Sequence, residues 1–204
     1  MPKTWIKKRK REYYYQKAKR EAYRSRAAYK VLQAVKRYHF IKLGDVVVDL
    51  GAAPGGWLQA VRKMVGDNGF VLGVDLKPIE VFSESNIHTI ISDIRKHETT
   101  QLIQEFLPRN ADAVVSDAAP EVSGIWELDH ARQIDLARHS LKIATDILKP
   151  HGHFFVKVFE GDLLNRFIKQ VRQHFTFVKR IKPKASRPES AEMYVLGKNL
   201  KQRT

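Results

Sequence analysis

The stretch that decides the fold is VVVDLGAAPGGW, residues 46–57. It begins with a short β-branched run that is typical of a strand and continues through a turn of Gly, Ala and Pro. Apolar residues then recur at helical spacing over residues 57–65. A strand that leads through a small-residue turn into a helix is the first unit of a doubly wound α/β sheet, in which ligands bind at the helix N-terminus. We therefore predict a cofactor site at this turn.

The turn does not match the dinucleotide-binding fingerprint, G-x-G-x-x-G. Ala53 occupies the position of the second glycine, and Pro54 lacks the backbone N–H that a pyrophosphate would need. These two residues disfavour a nicotinamide-dependent dehydrogenase.

Acidic residues occupy equivalent places in four predicted strands. They are Asp49 near the end of the first strand, and Asp75, Asp93 and Asp117 as the last residues of strands predicted over 69–75, 86–93 and 111–117. Four carboxylates at one edge would repel a diphosphate and attract a ligand that carries an ammonium and a sulfonium, while the second acid could bind ribose hydroxyls. S-adenosylmethionine has these features. Taken singly, each aspartate could equally cap the next helix or turn.

The net charge of +15 is concentrated at the two ends of the chain. Residues 1–42 hold 15 Lys and Arg against two acids, residues 179–204 hold eight against two, and the body between them has a net charge of −4. Basic ends on a mildly acidic body favour a nucleic-acid partner, and the tyrosines among the N-terminal charges favour RNA, whose unstacked bases stack on aromatic rings. The alternative for the arm, residues 1–22, is a disordered solubilising tail.

Composition limits the class of protein further. A length of 204 residues predicts a single domain over residues 1–204. The chain has no cysteine, and its eight histidines lack ligand spacing, so we expect a reducing, cytoplasmic setting and no metal site. No apolar run of about 18 residues and no apolar signal core occurs, so we expect neither a membrane span nor export.

The rest of the chain alternates between helical and strand patterns. The predicted elements are an amphipathic helix from Ser25 with Lys30 off its apolar stripe, helices over 99–106 and 129–148, a stop signal at 149–152, a strand over 153–159, a helix after Gly161, and strands over 175–180 and 192–196. Seven strands with intervening helices predict a doubly wound, Rossmann-like α/β sheet that is mostly parallel. The loop before the last strand is too short for a crossover helix, so that strand should be antiparallel.

An antiparallel last strand has a consequence for Lys157. This lysine interrupts the apolar run 154–159, which is typical of a strand buried on both faces, and a lysine is rarely buried without a partner. Because the last strand would begin at the carboxyl edge of the parallel strands, Glu192 should lie on the same rim as Asp117 and Lys157. The alternative is a lysine that extends from a strand end to water.

Five motifs together resemble a known family. They are SRAAYK at 25–30, DLGAAPGGW at 49–57, SDAAP at 116–120, VKVF at 156–159 and RPESAEMY at 187–194. In this order they resemble the FtsJ-like ribose 2′-O-methyltransferases, in particular the RlmE branch, which methylates a uridine in large-subunit (23S-type) ribosomal RNA. The resemblance runs from about Tyr23 to Leu196.

The resemblance implies a class I methyltransferase fold, S-adenosylmethionine as cofactor, and ribosomal RNA as partner, within the large subunit and without an obligate protein partner. It implies a catalytic tetrad at Lys30, Asp117, Lys157 and Glu192. It also implies cofactor contacts at Gly55, Trp57, Asp75, Asp93 and Asp117. Two alternatives are a transfer RNA anticodon-loop ribose 2′-O-methyltransferase and a non-catalytic RNA-binding ribosome assembly factor.

The chemistry requires alignment and the removal of one proton, because a ribose hydroxyl is a weak nucleophile. A lysine can be the base only in its neutral form, which desolvation or a neighbouring cation favours and nearby carboxylates oppose. We therefore predict that Lys157 is the base and that Lys30 is the second cation, which also orients the ribose. Asp117 and Glu192 would position the lysines and the substrate.

Overall fold

The structure, a computed structural model, describes residues 13–187 and 189–202. The helices are α1 at residues 13–20, α2 (Ala28–Tyr38), α3 (Gly56–Val65), α4 (Glu98–Phe106), α5 (Trp126–Ile147) and α6 (Leu164–His174). The strands are β1 (Val46–Leu50), β2 (Phe70–Asp75), β3 (Ile87–Ile91), β4 (Ala111–Ser116), β5 (Leu148–Phe159), β6 (Phe175–Ile181) and β7 (Glu192–Leu200). None of the helices described is long and apolar enough to cross a membrane.

The strands form one seven-stranded sheet in the order β3-β2-β1-β4-β5-β7-β6. The pairs from β3 to β5 are parallel, whereas β7 is antiparallel to both of its neighbours, β5 and β6. The order reverses between β1 and β4, which places a ligand crevice at the carboxyl ends of these two strands. The predicted Rossmann-like α/β fold with an antiparallel last strand is confirmed.

Helices cover both faces of the sheet and bury its central strand completely. Helices α4, α5 and α6 contribute Ile103, Ile134 and Phe167 to the apolar cluster on one face. Helices α2 and α3 contribute Val31 and Leu58 to the cluster on the other. All five residues of β1 are buried. This explains its continuous apolar run, since a strand between two helix layers has no solvent-facing side.

Several element boundaries differ from the sequence predictions: the strands predicted over 86–93 and 111–117 end at Ile91 and Ser116, so that Asp93 and Asp117 follow them, and the helix predicted from 129 begins at Trp126. Helix α2 begins at Ala28 instead of Ser25. The stop signal ends α5 at Ile147 as predicted, but residues 149–152 belong to an extended β5, where the register slips so that Ala111 pairs with Leu148 and Ala113 with His153. The slip has the character of a β-bulge, which sequence periodicity does not detect. The last strand continues past Leu196 to Leu200 because its far end pairs with the start of β6.

The second half of the predicted N-terminal arm is not detached from the fold. Residues 13–20 are helical, and Ala18 is buried in a small cluster with Tyr29 and Ala185. Tyr14 packs on the same cluster and accepts a hydrogen bond at 2.8 Å from Gln33 of α2. Part of the arm predicted over 1–22 is therefore helical and packed on the fold at residues 13–20, while residues 1–12 lie outside the described range.

Gly51 makes the turn after β1 possible and provides a test of the packing there. Its φ of +77° is a backbone angle that residues with a side chain rarely adopt. A Cβ at this position would also lie 2.5 Å from the Cα of Ala118. Gly44 has a similar φ of +79°, but nothing lies within 4 Å of an added Cβ. We expect Gly44→Ala to cost about 1–2 kcal/mol of unfolding free energy from backbone strain alone. Gly51→Ala should lower the free energy of unfolding measured in urea clearly more than Gly44→Ala does. Equal losses in the two variants would contradict the close contact between position 51 and Ala118.

Candidate active site

Four charged side chains from distant parts of the chain meet at the carboxyl edge of the sheet. Ser116 of β4 pairs with Val156 of β5, so the following residues, Asp117 and Lys157, are neighbours at that edge. Phe159 pairs with Glu192, because β7 begins where β5 ends. Lys30 reaches the same place from α2. The rim predicted for Asp117, Lys157 and Glu192 is therefore present in the structure.

The four side chains form one chain of ion pairs. Lys157 Nζ donates to the backbone oxygen of Asp117 at 2.5 Å and lies 3.3 Å from its Oδ1. Lys30 Nζ donates to Glu192 Oε2 at 2.7 Å and lies 3.7 Å from Asp117 Oδ2. Both ammonium groups thus share the carboxylate of Asp117. Two cations held beside two carboxylates in a half-buried site are arranged to orient a substrate group and to move a proton.

Asp117 is the centre of this cluster. Burial acts to raise the pKa of its carboxyl, but the charges of Lys157 and Lys30 and the hydrogen bond from Tyr194 lower that pKa below the ordinary value. The carboxylate therefore stays ionised and balances the lysines. Its backbone N–H donates to the carbonyl of Leu50 at 3.2 Å, which ties the residue to the end of β1 and to the crevice.

Tyr194 is a site residue to which the sequence reasoning assigned no role. Its hydroxyl donates to Asp117 Oδ1 at 2.6 Å, and the residue is fully buried. Burial and the nearby carboxylates of Asp117 and Glu192 raise its pKa well above the ordinary value, so it remains a donor. A signal was available: Tyr194 stands two residues after Glu192 in a strand, which places both side chains on one face.

The burial of Lys30 differs from the expectation. The residue was predicted to lie off the apolar stripe of its helix, yet it is only 7% exposed. The reason is its partner, Glu192, which lies 162 residues later in the sequence and also accepts a hydrogen bond at 2.8 Å from Ser186. Helical periodicity cannot reveal such a partner, because it reports only the apolar face of the helix itself.

The predicted cofactor turn lies beside this cluster, at the start of α3. Gly55 precedes α3 with a φ of +104°, and Asp75 Oδ2 accepts a hydrogen bond from Ala53 N at 2.9 Å. The other oxygen of Asp75 accepts from Lys77 N at 2.9 Å. Asp75 therefore links the cofactor turn, through Ala53, to the segment after β2, through Lys77. A glycine turn at a helix N-terminus with an acid at its side is the arrangement at which folds of this class bind a nucleoside.

Two of the predicted cofactor residues have side chains engaged elsewhere. The indole of Trp57 is buried, packs 5.8 Å from the ring of Phe155, and donates to Ala27 O at 2.7 Å. Only the backbone of Trp57 is therefore available to a ligand. The carboxylate of Asp93 is bound by the guanidinium of Arg95 at 2.7–3.1 Å, and this pair lowers the pKa of Asp93. A ligand at Asp93 would have to share that carboxylate with Arg95.

Asp49 does not line an open crevice, contrary to the expectation of four acids around one site. It is completely buried, and neither carboxylate oxygen has a hydrogen-bond partner among the described residues. Burial, followed by the charges of Asp117 and Asp75, raises its pKa well above the ordinary value. Burial without a hydrogen-bond partner therefore favours the protonated, neutral form of Asp49 over a negative charge beneath the turn.

The pKa of Asp49 leads to a prediction. Since the folded protein holds this proton to a higher pH than the unfolded chain, wild-type stability should fall as pH rises above about 4, the ordinary range of Asp. Asp49→Asn lacks that loss, so its melting temperature relative to wild type should increase between pH 4 and pH 7. The exposed Asp67 gives a control, since Asp67→Asn should show no such trend. A difference in melting temperature that does not change with pH would contradict the raised pKa of Asp49.

The residues present fit S-adenosylmethionine better than a metal ion. The glycine turn at the start of α3 and the acid Asp75 at the end of β2 occupy the places at which folds of this class bind a nucleoside. Within the described ranges, no group of three or more His, Cys, Asp or Glu could hold a metal ion.

Comparison with known proteins agrees with the motifs. The sequence profile of the FtsJ-like methyltransferases matches residues 23–200. A protein of Methanocaldococcus jannaschii named ribosomal RNA large subunit methyltransferase E is 46% identical over 199 residues, which cover 96% of this chain and 81% of the relative. A protein of the same name from Methanothrix thermoacetophila is 52% identical over 190 residues, which cover 93% of this chain and 73% of the relative.

Solved structures share the fold. A crystal structure of a Plasmodium falciparum protein designated a ribosomal RNA methyltransferase aligns with a TM-score of 0.79 and 27% identity, over 89% of this chain and 100% of that one. Fibrillarin of Methanococcus jannaschii aligns with a TM-score of 0.62 and 17% identity, over 86% of this chain and 77% of that one, and shares the fold alone. Since the family profile and these relatives span nearly the whole chain, the protein belongs to the FtsJ-like methyltransferase family.

Proposed function

We propose that this protein uses S-adenosylmethionine to methylate the 2′-hydroxyl of a uridine ribose in large-subunit ribosomal RNA. The observation that carries the proposal is the convergence of Lys30, Asp117, Lys157 and Glu192 beside the glycine turn. The names of the relatives, ribosomal RNA large subunit methyltransferase E, support the class of substrate. We retain residues 1–204 as one methyltransferase domain and the cytoplasm as its location, both as parts of the proposal.

The chemistry that this chain would supply follows from the contacts. When bound, S-adenosylmethionine supplies a methyl group activated by a sulfonium leaving group. Lys157 is the proposed base that takes the proton of the ribose hydroxyl, and burial excludes water from it. Lys30 is the proposed second cation of the site, which orients the ribose. Asp117 and Glu192 hold both amines in place through the ion pairs described above.

A basic surface next to the site supports an RNA substrate. Exposed Lys19 and Arg20 on α1 and exposed Lys182 and Lys184 in the loop after β6 carry positive charge. The two segments touch, because Ala185 of the loop packs against Ala18 of α1. The same loop reaches the tetrad through the hydrogen bond from Ser186 to Glu192. A phosphate backbone on this surface would bring a ribose to the lysines.

The proposal is tested by incubating the protein with methyl-labelled S-adenosylmethionine and a set of RNAs. We expect label in large-subunit ribosomal RNA or in intact large subunits, and none in transfer RNA. Label in transfer RNA alone would favour the anticodon-loop alternative. Binding of ribosomal RNA without methyl transfer would favour a non-catalytic assembly factor.

A further inference from the structure

Arg24 joins three segments at the edge of the cofactor turn. It lies in the connection between α1 and α2, and its side chain is only 19% exposed. Its guanidinium donates to the carbonyls of Glu80 at 2.7 Å, Val81 at 3.1 Å and Pro54 at 3.4 Å. Pro54 belongs to the cofactor turn, whereas Glu80 and Val81 belong to the loop that follows Asp75. One side chain therefore bridges the two backbone segments that flank the proposed nucleoside site.

The loop after Asp75, residues 76–86, packs on the fold through Ile79 and Phe82, and Asn86 ties its far end to the carbonyls of Gly66 and Gly69. It contains no helix or strand, and Val81 is 88% exposed. Within this loop Phe82 stacks on Arg24, and the centroid of its ring lies 3.8 Å from the guanidinium carbon. A Cβ at Gly55 would lie 2.7 Å from Phe82 and 3.0 Å from Arg24. The stacked pair therefore presses directly against the turn.

Arg24 is itself held in a fixed position. Its backbone N–H donates to Gln59 Oε1 at 2.7 Å, and Gln59 Nε2 donates to Ala22 O at 3.0 Å. Gln59 belongs to α3, the helix whose N-terminus forms the cofactor turn. A planar guanidinium with a forked set of donors, stacked on an aromatic ring, fixes geometry in a way that an ammonium cannot.

We propose that Arg24 is a positioning residue for cofactor binding, which holds the loop of residues 76–82 against the turn of residues 53–55 so that the turn and Asp75 keep the geometry needed by a nucleoside bound beside them. The inference rests on the proposed function, because the nucleoside is that of S-adenosylmethionine. It adds a residue from the N-terminal connection to the cofactor site. Arg24 touches neither the tetrad nor the reacting atoms, so its loss should affect cofactor affinity and leave the chemical step unchanged.

The test compares Arg24→Ala and Arg24→Lys with a matched control, Arg62→Ala. Arg62 is 20% exposed, lies in the same helix as Gln59, and pairs with the exposed Asp67 at the other end of α3. Calorimetry with S-adenosylhomocysteine gives the cofactor affinity, and a filter assay gives the affinity for ribosomal RNA. We expect Arg24→Ala to raise the dissociation constant of S-adenosylhomocysteine about tenfold, with RNA affinity unchanged, because a preorganised loop is lost.

Kinetics and the conservative variant complete the test. In Arg24→Ala the KM for S-adenosylmethionine should rise with the dissociation constant, while kcat at saturating cofactor stays within about twofold of wild type. Arg24→Lys should recover affinity only in part, to about threefold weaker than wild type. Lysine keeps the positive charge but loses the paired hydrogen bonds to Glu80 and Val81 and the stacking on Phe82. Arg62→Ala should match wild type.

Two results would overturn this inference and leave the proposed function intact. One is cofactor affinity in Arg24→Ala within about twofold of wild type, and the other is an equal loss of cofactor and RNA affinity, which would indicate a general structural role. If wild-type protein binds no S-adenosylhomocysteine, the proposed function fails and the inference fails with it. The wild-type titration therefore separates the two failures. If Arg24→Ala does not fold, full affinity in Arg24→Lys still contradicts the role assigned to the guanidinium.

Discussion

Replacing Lys157 by alanine should lower methyl transfer by about 10²–10⁴-fold, the contribution expected of a general base. The prediction follows from the proposed role of Lys157 as the base, whose amine lies at the carboxyl edge of the sheet and shares Asp117 with Lys30. Single-turnover rates with labelled cofactor measure the loss. Affinity for S-adenosylhomocysteine should remain near that of wild type, because the turn and Asp75 are intact.

The exposed Lys142 of α5 gives the matched control for this prediction. Lys142→Ala removes the same charge from the surface and should turn over normally. Lys157→Met adds a second comparison, since it keeps most of the buried chain and removes only the amine. Near-normal turnover in either Lys157 variant would contradict its role as base, and a parallel loss of cofactor affinity would indicate a binding role instead.

The second large effect is expected at Asp117. Asp117→Asn keeps the shape of the side chain but removes the charge that balances two buried ammonium groups. Breaking a buried pair in this way costs about 3–5 kcal/mol. We therefore expect a loss of this size in urea unfolding together with a loss of methyl transfer. Asp67→Asn at the surface should change neither quantity, because its side chain is 91% exposed.

The effect of Asp117 should depend on pH with a definite sign. Burial opposes ionisation of its carboxyl, but Lys157, Lys30 and Tyr194 hold the pKa below the ordinary value. The stabilisation is therefore complete above the pKa of the unfolded chain, about 4, and is lost as pH falls through the lower pKa of the folded state. The stability difference between wild type and Asp117→Asn should shrink in acid below pH 4. A difference that is constant down to pH 2 would contradict this assignment.

The position of Glu192 is an example of a site feature that the sequence alone could predict. The short connection before the last strand predicted an antiparallel pairing, and that pairing brought Glu192 to the end of β5, beside Lys157 and Asp117. No inference about spacing within a helix could have placed Lys30 there, because its partner is 162 residues away. Only the family resemblance joined Lys30 to the other three residues.

Asp49 and Trp57 show a limit of sequence reasoning. Both belong to a motif that suggests contact with a ligand, yet both side chains are buried. In a strand enclosed by helices on both faces, alternation no longer distinguishes a residue that faces a crevice from one that faces the core. Trp57 lies in α3, where its indole donates to Ala27 O and stacks on Phe155.

The central claim is transfer of a methyl group to a ribose hydroxyl, and the most direct test is alkaline hydrolysis of large-subunit ribosomal RNA labelled by this protein. A 2′-O-methyl group blocks attack on the adjacent phosphate. The account therefore predicts that the label is recovered in an alkali-resistant dinucleotide whose methylated residue is uridine. Label recovered in an ordinary mononucleotide would place the methyl group on a base and contradict the account.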